Sequence, residues 1–226
     1  MPFSLLDFLF PKRCINCSCI GSYLCTRCFG QIEFVEKPIC PVCQRQAVGG
    51  RTHPGCKSKY NLDGLIVAAH YKGPVKKAIT KIKYKLAYDI ITFLVDLISQ
   101  NLYKFDFPKD AMLVPIPLHP KRKRWRGFNQ SEILARVLSK KFKVRDDNLL
   151  IRNLETKPQV GLSKKERKLN VSGAFALHPQ KNTKTAGKDF ILVDDVYTSG
   201  VTMQEACKIL KKAGARNVWA MTIALG

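Results

Sequence analysis

The chain has 226 residues, 46% of them hydrophobic, which is enough for one catalytic-sized domain with a small appendage and excludes a disordered chain. Its 39 basic and 17 acidic residues leave a formal charge of +22, more than solubility requires, and such a field attracts polyanions: nucleic acid, anionic lipid or phosphorylated small molecules. No stretch approaches the roughly 18 apolar residues of a membrane span, so stable membrane insertion is not expected, and a cytoplasmic protein is.

Residues 1–10 form a short greasy run carrying Asp7, expected as an amphipathic turn on the body. Eight of the nine cysteines then fall before residue 57, a crowding that without an export signal favours metal over disulfides. Cys14-x2-Cys17 and Cys25-x2-Cys28 are knuckles seven residues apart, the spacing of a hairpin that gathers four thiolates on one zinc. Cys19 competes with Cys17 as ligand, but its spacing is poor for a knuckle and it is assigned as a free thiol. Cys40-x2-Cys43 is followed after nine residues by His53-x2-Cys56, a second site in which an imidazole replaces one thiolate. His53 is the ligand at which metal is expected to be weakest. With four ligands each and no place for water, both zincs are structural, and residues 1–58 are expected to be a double zinc ribbon domain.

From residue 59 to 226 the pattern changes. A strand is expected over 62–71, helices in two pieces over 75–97, a strand over 111–115 and a helix over 130–141. Short strands follow over 148–152 and 174–178, then a strand over 190–193, a helix over 201–212 and a strand over 218–225. The first helix carries Lys76, Lys77, Lys81 and Lys83 on a face read as solvated, and Cys207 is read as core. The alternation predicts an α/β fold, a mainly parallel sheet with helices on both faces, whose site gathers at the carboxyl ends of the strands.

Two segments meet that description. Phe190-Ile191-Leu192-Val193 runs into Asp194 and Asp195, then into Val196, Tyr197, Thr198, Ser199, Gly200, Val201 and Thr202. The hydroxyls, the successive N–H groups and the glycine suit a phosphate at a helix N-terminus. The acids would repel that anion unless they accept hydrogen bonds from vicinal hydroxyls or hold a divalent cation, so a sugar phosphate fits both halves. The second segment leaves the 111–115 strand through Pro117, Leu118, His119 and Pro120, carries Lys121, Arg122, Lys123, Arg124 and Arg126, and reaches Gly127-Phe128-Asn129-Gln130. It is read as a basic loop facing the acids across a gap that takes a polyphosphate end, with Arg126 beside Gly127 as the fixed contact and Gln130 opening the next helix. Trp125 and Phe128 could stack on bases or anchor the loop. The polar, basic stretch 152–170 is expected as a lid. His70, His119 and His178 form no readable base arrangement.

The Asp194–Thr202 segment resembles the phosphoribosyl-pyrophosphate (PRPP) loop of type I phosphoribosyltransferases. With Arg126-Gly127-Phe128-Asn129-Gln130, with Gln159, Leu162, Ser163, Arg167, Asn170 and Gly173-Ala174-Phe175, and with the cysteine-rich amino terminus, the chain resembles the ComF family of competence proteins over roughly residues 14–225. The departure is His53, where cysteine is usual. The resemblance implies PRPP with magnesium as ligand, its 5′-phosphate on residues 198–202 and its ribose hydroxyls on Asp194 and Asp195. The pyrophosphate would face Pro117 to Gln130, and Lys164 or Arg167 would meet it from the lid. It also implies a part in DNA uptake during natural transformation, beside a competence helicase or other uptake proteins near the inner face of the membrane, with single-stranded DNA as a partner and self-association left open. No hood for an acceptor base is recognisable. Transfer of a phosphoribosyl group and a non-enzymatic DNA-binding or PRPP-sensing role therefore both stand.

Overall fold

The computed structural model describes residues 11–84, 88–154, 171–181 and 184–226. The expected turn over 1–10 and most of the expected lid, residues 155–170 with Lys164 and Arg167, lie outside the described residues.

Four parallel strands form the sheet: β1 (Gly64–His70), β2 (Met112–Pro115), β5 (Asp189–Tyr197) and β6 (Asn217–Leu225), in the order β1-β6-β5-β2. Val-, Ile- and Ala-rich sequences buried on both faces are what a covered parallel sheet requires. Along β5, Ile191 and Val193 face one core while Phe190 and Leu192 face the other. The first core is covered by α2 (Gly73–Tyr84), α3 (Tyr88–Asn101) and α5 (Gln130–Phe142), through residues such as Ile79, Ile91, Leu94 and Leu134. The second is covered by α6 (Val201–Lys212), through Met203, Ala206, Cys207 and Leu210. Cys207 is core, as its apolar neighbours imply.

The short strands β3 (Leu150–Arg152) and β4 (Phe175–Leu177) pair antiparallel as a separate two-stranded sheet and pack Leu150 and Phe175 into the second core. The basic run after β2 departs from expectation: residues Pro120–Arg126 are a helix, α4, rather than a loop. Pro120 stands at its first turn, where the missing N–H costs nothing, and Gly127 ends it at φ 81°.

Both edges of the sheet are covered. Beyond β2, Leu113 exchanges backbone bonds with Arg145 and Asp147. Beyond β1, the amino-terminal segment lies antiparallel, with Val35 N–H donating to Ala68 O at 3.0 Å and His70 N–H to Glu33 O at 2.8 Å. The cysteine-rich segment, with its short helix α1 (Thr26–Phe29), thus sits against the sheet it precedes. Among the described residues no helix is long and apolar enough to cross a membrane.

Candidate functional site

The cysteine-rich segment gathers two sets of ligand atoms, Cys14, Cys17, Cys25 and Cys28, and Cys40, Cys43, His53 and Cys56, each set within 4.8 Å of one another. Ligand atoms about 2.0–2.3 Å from a common centre sit about 3.3–3.8 Å apart, inside that bound, so the four-sulfur set and the three-sulfur, one-imidazole set both suit tetrahedral zinc. Cys19 is exposed and outside the first set; it takes no part in the four, as its spacing implies. Burial opposes ionisation of Cys14, yet backbone hydrogen bonds from Cys17, Cys25 and Asn16 draw its thiol down to about 5. A backbone hydrogen bond from Arg45 draws Cys43 to about 6, whereas burial and then Cys43 itself push Cys56 to about 11. Crowded sulfurs divide their protons in this way, and a divalent cation relieves the repulsion by taking all four.

The outer contacts complete these sites. Asn16 Nδ2 donates to Cys28 Sγ at 3.3 Å, and the Arg27 guanidinium, hydrogen-bonded to the Cys17 sulfur, is held above its usual pKa. His53 Nε2 lies 2.9 Å from the Gln46 carbonyl, which can only accept. Donation from Nε2 to that carbonyl turns Nδ1, 3.3 Å from Cys43 Sγ, into the set, which is the orientation a metal ligand needs.

The second constellation lies at the carboxyl ends of β2 and β5. Asp195 is buried and Asp194 half-buried. Asp194 Oδ1 accepts from Ser131 Oγ at 2.7 Å and from the Asp195 N–H at 2.9 Å. Asp195 Oδ2 accepts from Gln130 Nε2 at 3.4 Å, and Gln130 Oε1 in turn accepts from Arg126 Nη1 at 2.7 Å. Gln130 and Ser131 form the first turn of α5, whose positive end suits the paired acids. Asn129 fixes that turn: its Oδ1 accepts from Ser131 N at 3.1 Å while its Nδ2 donates to Ile116 O at 3.0 Å. The run Arg126-Gly127-Phe128-Asn129-Gln130-Ser131 thus ends one helix, caps the next and holds both carboxylates.

Thr198, Ser199 and Gly200 connect β5 to α6, and Gly200 turns at φ 73° so that the first N–H groups of the helix face the turn. Tyr197 corrects the sequence reading. Its hydroxyl donates to the Pro41 carbonyl at 2.7 Å and its ring is 2% exposed, so it anchors the loop from beneath instead of offering a hydroxyl to a ligand. Val196 packs its side chain against the first core, leaving only its backbone to the loop.

On α4 the five cations differ. Lys123 is paired with Glu132 at 2.8 Å, and Arg126 is spent on Gln130. Trp125 is 74% exposed, so it does not anchor the segment. Pro117 and Leu118 are half-buried where β2 gives way to α4.

Sequence reasoning missed Ser131, quoted Asn129 only as part of the Arg126–Gln130 motif, and read Arg152 as the start of the lid. Arg152, at the end of β3, is 8% exposed with its guanidinium over the Phe175 ring at 5.5 Å. Burial lowers its pKa, as does the nearby Arg122, while Asp194 opposes both. No local signal marks it, since a three-residue strand from a distant sheet brings it in.

A double zinc ribbon domain matches residues 5–57, and a phosphoribosyl transferase domain matches residues 127–225. Competence protein F of Haemophilus influenzae is 29% identical over 94% of this chain and 97% of its own. The chain is ComFC-like. It joins an amino-terminal double zinc ribbon to a phosphoribosyltransferase-like domain. Competence protein ComFC of Bacillus subtilis is 29% identical over 88% of this chain and 83% of its own, and DNA utilization protein YhgH of Escherichia coli K12 is 28% identical over 88% and 89%. Each of these alignments spans at least 83% of the ComFC-like relative's own length.

Proposed function

We propose that this ComFC-like chain binds PRPP and takes part in DNA uptake, with the capacity to transfer a 5-phosphoribosyl group to an acceptor. The observation that carries this reading is the acid pair held on the first turn of α5 beside the Gly200 turn and the N-terminus of α6. Carboxylates so held are acceptors ready for two ribose hydroxyls, and the α6 amides are donors ready for the 5′-phosphate. Magnesium would accompany the pyrophosphate and neutralise its charge. As pyrophosphate leaves, positive charge grows at the anomeric carbon and negative charge on the leaving group. Arg122 and Arg152 on the α4 and β3 side, with Lys164 and Arg167 as further cations, would favour the latter. No protein nucleophile is needed. The zincs are read as structural, and the boundary near residue 58 as that between ribbon and catalytic-type domain.

The names of the relatives, two competence proteins and a DNA utilization protein, support the place in DNA uptake. On that reading the protein works in the cytoplasm beside uptake proteins such as a helicase. A second reading, single-stranded DNA binding without catalysis, is favoured by the exposure of Trp125 among the α4 cations. Calorimetric titration with magnesium and PRPP tests the first. Asp195→Asn should weaken binding about tenfold or more through loss of a charged acceptor. A site driven by charge alone would bind the polyanion more tightly after that change, and such a result would defeat the role of Asp195.

A further inference from the structure

The second metal cluster and the phosphate loop share a wall. Pro41 lies inside the Cys40-x2-Cys43 knuckle, and its carbonyl is the acceptor of the buried Tyr197 hydroxyl. Gln44 follows the knuckle at φ 58°, held by its N–H to the Cys40 carbonyl at 2.9 Å, and its Nε2 donates to the Thr198 carbonyl at 3.0 Å. Two consecutive residues at the root of the loop are therefore held by this knuckle, Tyr197 through the Pro41 backbone carbonyl and Thr198 through the Gln44 side-chain amide. The loop folds onto the same grip: a side chain at Gly200 would collide with the Tyr197 phenol oxygen. The first cluster is tied elsewhere, with Lys77 Nζ on α2 donating to the Asn16 carbonyl at 2.9 Å.

We propose that the Cys40–Gln44 knuckle is a structural wall of the phosphate loop. Gln44 and Tyr197 are then positioning residues for the bound sugar phosphate, and an occupied second metal site is a condition of the loop's shape. The physical reason is conformational. Gln44 is not glycine, and a left-handed backbone is unfavourable for it, so the knuckle keeps its turn only while its ligands converge. Without the metal the Pro41 carbonyl and the Gln44 amide drift, the buried phenol loses its acceptor, and the amides that converge on one anion spread apart. The identity of the ligand rests on the PRPP reading; the grip does not.

The test uses the full zinc-loaded chain and two variants that retain all eight metal ligands, Tyr197→Phe and Gln44→Ala. Amide hydrogen exchange is followed over residues 198–202, and calorimetry measures binding of ribose 5-phosphate and of PRPP with magnesium. In each variant, loop exchange should rise and both ligands should bind about fivefold more weakly, the worth of one hydrogen bond, with zinc content and β6 protection unchanged. His53→Ala, with one zinc lost, should exceed both. Loop exchange indifferent to Tyr197→Phe and Gln44→Ala would overturn the proposal, as would a rise spread evenly through β5 and β6. If the parent chain binds neither ligand while its loop still answers to the knuckle variants, the wall stands and the PRPP reading falls. A parent that binds PRPP with a loop deaf to the knuckle has the opposite meaning.

Discussion

Gln130→Glu is a stringent probe of the acid pair, because it keeps size and shape while reversing one hydrogen bond. The native amide accepts from Arg126 at 2.7 Å and donates to Asp195 at 3.4 Å. A carboxylate would still accept from Arg126, but toward Asp195 it would set charge against charge. At an effective dielectric of about 20, unit charges about 3.4 Å apart repel by about 5 kcal/mol, and Arg126 offsets part of this. A net loss of about 1.5 to 3 kcal/mol in holding Asp195 corresponds to about tenfold to hundredfold weaker PRPP binding. The sign with pH follows. Asp195 opposes ionisation of the introduced carboxyl, so as pH falls from 8 toward 5.5 that group takes up a proton, donates as the amide did, and recovers affinity. Calorimetry at both pH values, read as the ratio of variant to parent, removes the ligand's own protonation. Gln130→Leu should show a deficit independent of pH. A ratio for Gln130→Glu that stays constant, or a variant equal to the parent at pH 8, would refute the relay.

Elemental analysis should find close to two zinc ions per chain, falling to about one in His53→Ala; a parent value of one, unmoved by that substitution, would make the second site vestigial. Trp125→Ala should weaken single-stranded DNA binding by about 1–3 kcal/mol, the worth of one stacked base, and leave PRPP affinity alone. An unchanged DNA affinity in fluorescence titration would remove Trp125 as a stacking platform.

Much of the architecture was legible because it is written locally. The α6 helix matches its sequence expectation at both ends, since Gly200 and then Lys211 and Lys212 mark them. The metal ligands were legible because knuckle spacing is a local constraint, and the structure gathers the same eight residues. The basic segment misled because prolines and crowded cations read as a loop, whereas a proline in the first turn of a helix and a left-handed glycine at its end are equally local facts of another kind. Contacts between distant segments left no trace in the sequence. Nothing near Tyr197 says that its hydroxyl belongs to Pro41, and nothing near Leu150 says that Arg152 will be buried where the charge of Asp194 reaches it. The short strands β3 and β4 were both legible, but their antiparallel pairing was not, for the same reason: the partners are far apart in the chain.

The pairing of β1 with β6 sets the order in which the molecule can be made. Gly64 faces Trp219 and His70 faces Leu225, so an apolar strand made early waits on the ribosome for the last strand of the sheet. Such distant closure is slow, and a waiting strand with a bare edge invites the wrong neighbour. The segment around Glu33 to Val35 is translated before β1 and bonds to its other edge. A ribbon that captures metal as it emerges would thus shield half of that strand from the start, which gives the cysteines a part in the birth of the protein as well as in its finished form.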